Sequence, residues 1–152
     1  MGPIRFTFFY LLSGLAASAA QVLADLHSTI PMVGASGAIG GVMGAYIVLY
    51  PKVHVHMLLF LVVFVRTFAI PAIAMLGYWI VVQIFGAVSS MGASGGGVAF
   101  WAHIGGFIAG MLLIFLFKDE SMLAKHPFRG WKQNKHPDTA WKSVSNKGGT
   151  WN

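Results

Sequence analysis

The sequence predicts an all-α, polytopic membrane helix bundle, and three observations carry that prediction. Of 152 residues, 57% are apolar and 9% are charged, against roughly 25% charged in an average soluble domain. Residues 1–117 contain only Arg5, Asp25, Lys52 and Arg66 as charged residues, and the other charges crowd into 118–152. Four apolar segments, at about 6–26, 36–50, 70–88 and 98–117, have the length and composition of membrane spans. A bilayer-crossing helix needs roughly 20 such residues, fewer where neighbouring protein shields its ends. The chain therefore divides into a membrane domain at 1–117 and a basic, disordered cytoplasmic tail at 118–152.

The first span opens behind Arg5. Its Ala17-Ser18-Ala19 imitates a signal-peptide cleavage site, but Ser13, Gly14 and the small alanines suit a helix packed closely against other helices. The second span is short and rich in glycine, so it is expected to be central, with the other helices shielding it from lipid. Between the second and third spans, residues 53–68 hold an apolar run too short to cross and interrupted by Arg66. This stretch is expected to lie in the interface, with His54, His56 and Arg66 toward headgroups and its Leu, Val and Phe side chains toward acyl chains. Four crossings put Arg5, Lys52, Arg66 and the tail on one side, while the opposite loops, about 27–35 and 89–97, contain no Lys or Arg. That is the positive-inside pattern, and it predicts cytoplasmic termini. The tail carries a small repeat, Lys125-His126-Pro127 to Trp131-Lys132 and Lys135-His136-Pro137 to Trp141-Lys142, whose Lys and Trp spacing suits anionic headgroups.

Composition also excludes chemistry. Without cysteine there is no disulfide, thiolate nucleophile or Cys-ligated metal. The net charge of +6 reflects charge flanking spans rather than a nucleic-acid-binding face, and no nucleic-acid partner is expected. His54 and His56 lack a placed third ligand, so no metal or cofactor is expected. Asp25 and His27 read as a wet helix end, and Tyr46 and Tyr50 as packing and interfacial anchors.

The most informative stretch runs Gly34-Ala35-Ser36-Gly37 and on through Gly40, Gly41 and Gly44. Proline and glycine end a loop, and Ser36 falls at a helix start, where free N–H groups and the positive dipole end favour an anionic oxygen. A plain N-cap serine is the competing reading. Gly37 with Gly41, and Gly40 with Gly44, are small-xxx-small pairs that let another helix approach to near backbone contact. In the fourth span His103, Gly106 and Gly110 share one face, so an intramembrane imidazole points at a close-packed neighbour. Both Ser36 and His103 lie near the starts of helices on the non-cytoplasmic side. If α-helical packing brings the two side chains together, the lack of an Asp or Glu at matching depth would make them a dyad rather than a triad. Gly92-Ala93-Ser94-Gly95 repeats the serine tetrapeptide by letter but runs on into Gly96-Gly97, a loop rather than a rigid mount. A transporter would also use an intramembrane histidine, but no second ionisable group offers it a relay.

Gly34-Ala35-Ser36-Gly37 opening a glycine-rich helix, followed by Ala102-His103-Ile104-Gly105-Gly106-Phe107 and Gly110, resembles the rhomboid intramembrane serine proteases. The resemblance extends from about 5 to 117, includes Phe9-Tyr10 and Ser13-Gly14, and corresponds to the last four helices of the family's six-helix core. It implies Ser36 as nucleophile, His103 as general base, an oxyanion site at the nucleophile loop of Gly34, Ala35 and Gly37, and transmembrane proteins in the lipid bilayer as substrates. The family's second helix carries a His and an Asn that assist the oxyanion. Neither has a counterpart here, so the chain is expected to be an N-terminally truncated relative. An inactive relative that binds membrane proteins without cutting them is the alternative. Gly40 stands where some relatives place an aromatic residue that stacks on the histidine, so that stacking is expected to be absent.

Overall fold

The computed structural model describes residues 1–27, 31–61, 64–91 and 98–125. Among the described residues, five helices and one hairpin follow in order: α1 (Pro3–Ala24), α2 (Ser36–Leu49), β1 (His54–Leu61), β2 (Phe64–Pro71), α3 (Ala72–Ser89), α4 (Phe100–Phe117) and α5 (Glu120–Lys125). The bundle is all-α, as expected. Three helices, α1, α3 and α4, are long and apolar enough to cross a membrane, and α2 is a shorter apolar helix. At 14 residues and 1.5 Å of rise per residue, α2 spans about 21 Å, short of the roughly 30 Å hydrocarbon layer.

Local chemistry sets most of the boundaries. Pro3 occupies the first turn of α1, where its missing N–H costs nothing. Pro51 stops α2 by driving Tyr50 out of helical geometry, to φ −136° and ψ 51°. Pro71 flanks α3 in extended geometry. No side chain of its own caps α4. Instead the Gln21 side chain of α1 accepts the Ala102 N–H through Oε1 at 3.2 Å, which satisfies one of the unpaired donors of the first turn.

The stretch expected at the interface is an antiparallel hairpin, running in register from His54 opposite Pro71 to Leu61 opposite Phe64. The expectation contained no strands. Val55, Phe60, Phe64, Val65, Thr67 and Phe68 favour extended backbone, and pairing the two strands satisfies amides that an apolar surrounding would otherwise leave bare. In the tail, the segment just after α4 forms α5. Asp119 Oδ1 accepts the N–H groups of Ser121 at 3.0 Å and Met122 at 3.3 Å. The Ser121 hydroxyl bond comes first among the contacts that hold the Asp119 carboxyl below its usual range. The tail repeat beyond 125 lies outside the described residues.

Helix packing is governed by glycine. A Cβ on Gly106 would fall into the Gly37 carbonyl, and one on Gly110 into the Gly41 carbonyl. Along the neighbouring edge, a Cβ on Gly40 would meet the His103 carbonyl at 3.1 Å, and one on Gly44 would collide with the Phe107 carbonyl. These pairings advance together along both chains, so α2 and α4 run parallel with backbones in contact. Helix α1 runs antiparallel across both: Ser13 packs on Gly41, Ala17 on Gly37 and Ala20 on Gly105. Helix α3 packs against α4, with Gly86 against the Phe100 ring. At the opposite end from Ser36, Phe9, Ala45 and Ile114 form a small core, and Phe9 meets Phe117 edge-on at 6.0 Å. Large apolar side chains face outward along the long helices, including Leu15, Leu23, Phe85 and Leu116. Apolar exposure on that scale fits lipid contact and not water.

Two outcomes follow. Gly110→Ala lowers stability by about 1–3 kcal/mol through overpacking, whereas Gly77→Ala, whose added Cβ meets nothing within 4 Å, is neutral or stabilises by about 0.5–1 kcal/mol. Gln21→Leu leaves the Ala102 N–H unpartnered and costs about 1–3 kcal/mol. Unfolding midpoints in mild detergent, followed by circular dichroism, check both.

Candidate active site

The serine is mounted by its backbone. Gly34 has φ +139°, a conformation that side-chain-bearing residues rarely adopt, and it turns the chain into α2. Ala35 is the N-cap, at φ −83° and ψ 1°, and no side chain caps the helix. Ser36 is thus the first helical residue, and its hydroxyl is not engaged as a cap. The helical ladder of α2 begins with the Ile39 N–H bonded to the Ala35 carbonyl at 3.1 Å. The N–H groups of Ser36, Gly37 and Ala38 precede it at the positive end of the helix. Gly37 is buried, and an added Cβ would collide with Ala17 while reaching the Ala102 carbonyl at 3.4 Å. The nucleophile loop is therefore pinned to both α1 and α4 immediately after Ser36.

His103 lies in the first turn of α4, its N–H bonded to the Ala99 carbonyl at 3.2 Å. Parallel packing brings the starts of α2 and α4 to one level, and His103 Nε2 stands 2.8 Å from Ser36 Oγ. The other ring nitrogen, Nδ1, stands 2.7 Å from Gln83 Oε1 of α3. With the proton on Nδ1 donated to the amide oxygen, Nε2 presents its lone pair to the serine O–H. The Trp79 ring, also on α3, leans over the imidazole with centroids 5.7 Å apart and planes at 43°, and it continues to Phe107 at 6.0 Å. Ser36 is exposed while His103 is half-buried, so the pair opens at one end of the bundle.

Gln83 and Trp79 carry no charge, and neither was expected from the sequence as a partner to the histidine. The available signal was their spacing: they lie one helical turn apart on α3, on one face, with a polar amide inside an otherwise apolar span. Trp79 also supplies an aromatic contact that the glycine at position 40 does not. Its Cη2 lies 3.6 Å from where a Gly40 Cβ would be, so the small residue leaves room for a ring from a different helix.

The competing residues are elsewhere. Asp25 Oδ1 accepts the N–H of His27 at 3.2 Å in an exposed turn after α1, a local contact. His54 and His56 lie on β1, and no cluster of three or more metal-ligating side chains occurs among the described residues. Tyr46 and Tyr50 pack ring to ring at 5.4 Å. Ser94 lies outside the described residues.

Neither the curated proteins nor the solved structures contain a match to this chain. The family model described as the Rhomboid domain does match, over residues 1–120, from the start of α1 through the α2–α4 contact and the Ser36–His103 pair to the beginning of α5. The chain belongs to the rhomboid family of intramembrane proteases.

Proposed function

We propose that this chain is an intramembrane serine endopeptidase that cuts transmembrane proteins with a Ser36–His103 dyad. The observation that carries the reading is the 2.8 Å contact between His103 Nε2 and Ser36 Oγ at the mouths of two parallel helices, within hydrogen-bond reach for proton abstraction. His103 Nε2 takes the serine proton as Ser36 Oγ attacks the scissile carbonyl. The resulting oxyanion meets the Ser36 N–H at the positive end of α2. The imidazolium then protonates the leaving amine as the C–N bond breaks, leaving an acyl-enzyme. Water, deprotonated by the same Nε2, releases the acyl group and restores the serine.

The substrate must offer an amide that is free of helical hydrogen bonds. Single-span proteins with small or helix-breaking residues near the outer membrane boundary meet that need, because an intact helix presents no accessible carbonyl to Ser36. Charge asymmetry supports cytoplasmic termini, with the site opening toward the opposite face.

Ser36→Ala and His103→Ala each reduce cleavage of a single-span reporter by about 10,000-fold or more, and each abolishes labelling by a fluorophosphonate probe in mild detergent. Cleavage or labelling that survives both substitutions refutes the dyad. Because the chain has no native cysteine, topology is read from single introduced thiols. In intact cells, a membrane-impermeant maleimide labels Val33→Cys, at a side chain 92% exposed, and leaves Lys52→Cys unlabelled until the membrane is opened.

A further inference from the structure

We propose that Gln83 is the positioning residue for His103: its side-chain carbonyl fixes the imidazole in the tautomer that leaves Nε2 free to accept the Ser36 proton. This deepens the Ser36–His103 reading and rests on it.

Three observations carry the inference. Gln83 Oε1 stands 2.7 Å from His103 Nδ1 while Ser36 Oγ stands 2.8 Å from Nε2, so the three groups form a continuous chain across α3, α4 and α2. Gln83 is 7% exposed in the middle of an apolar helix, where an amide without a partner is costly. Trp79, one turn earlier on the same face, covers the ring and restricts its rotation about the Cβ–Cγ bond. The side chains shown against the imidazole are thus Ser36 from α2 and Trp79 and Gln83 from α3, none of them charged.

An imidazole is useful as a base only through an unprotonated nitrogen, and its two neutral tautomers expose different ones. If Nε2 carried the proton it would donate to Ser36 Oγ, and no base would face the hydroxyl. An acceptor at Nδ1 removes that alternative. In a Ser-His-Asp triad a carboxylate holds the tautomer and also stabilises the imidazolium. A neutral amide performs the first task and contributes to the second only through its dipole. Losing it therefore costs less than the ~10,000-fold that a misdirected imidazole costs such a triad. The expected effect lies in turnover, because Gln83 touches the base and not the substrate.

The test has one arm that does not need activity. In the 152-residue chain labelled with ¹⁵N-histidine in detergent micelles, with resonances assigned by His103→Ala, the neutral His103 ring shows its proton on Nδ1. In Gln83→Leu the proton moves to Nε2 in a substantial fraction of molecules. In the second arm, Gln83→Leu lowers kcat by roughly 10- to 1,000-fold with KM within about twofold, while fluorophosphonate labelling slows in parallel. Gln83→Glu, which keeps an acceptor at the same reach, recovers the Nδ1–H tautomer and part of the rate. A wild-type ring protonated on Nε2, or an unchanged tautomer in Gln83→Leu, overturns the proposal. So does a rate that falls only in step with the unfolding midpoint. A chain that is inactive with the Nδ1–H tautomer intact contradicts the protease reading and leaves the positioning contact established.

Discussion

Backbone contact between α2 and α4 is the constraint on which the remainder of the structure depends. Lipid chains are as apolar as leucine, so helices inside a bilayer gain little from burying oily surface against one another. They associate through close packing instead. Gly37 and Gly41 of α2 face Gly106 and Gly110 of α4 with no side chain between them, which fixes both separation and register. A slip of one turn, about 5.4 Å, would carry His103 out of reach of Ser36. The 2.8 Å contact is thus a consequence of where the glycines are, and the serine loop adds only local aim through Gly34.

The two outer helices brace this pair from opposite sides, each with one amide. Helix α1 presents Ser13, Ala17 and Gln21 at intervals of one turn, the first two against α2 glycines and the third as a surrogate cap for α4. Helix α3 presents Trp79, Gln83 and Gly86 toward the histidine end of α4. Both amides act on the same first turn of α4, one on its backbone and one on its imidazole. Order there comes from three directions, which suits a turn that must hold a side chain in one rotamer.

Much of the architecture was legible in the sequence because glycine spacing is a geometric statement. Pairs at i and i+4 on α2 and the stripe of His103, Gly106 and Gly110 specify faces, and the sparse charge specifies a membrane domain. Spacing does not say which neighbour a face meets, so Gln83 and Trp79 carried no visible connection to His103. An uncharged amide also raises no electrostatic flag. The hairpin was hidden for a different reason. An uninterrupted apolar run such as Met57 to Val65 has neither a two-residue nor a 3.6-residue period, and the choice of strands there is settled by pairing between β1 and β2.

The neutrality of the chain from Ser36 through His103 to Gln83 has a consequence for how the protein is made. Each span must partition from the translocon into lipid before its neighbours are in place to shelter it. An aspartate at the centre of a helix adds about 2.5–3.5 kcal/mol to that step. By orienting its histidine with an amide, α3 carries no ionised group among its 18 residues, and it enters the bilayer without a charge that only the finished bundle could neutralise.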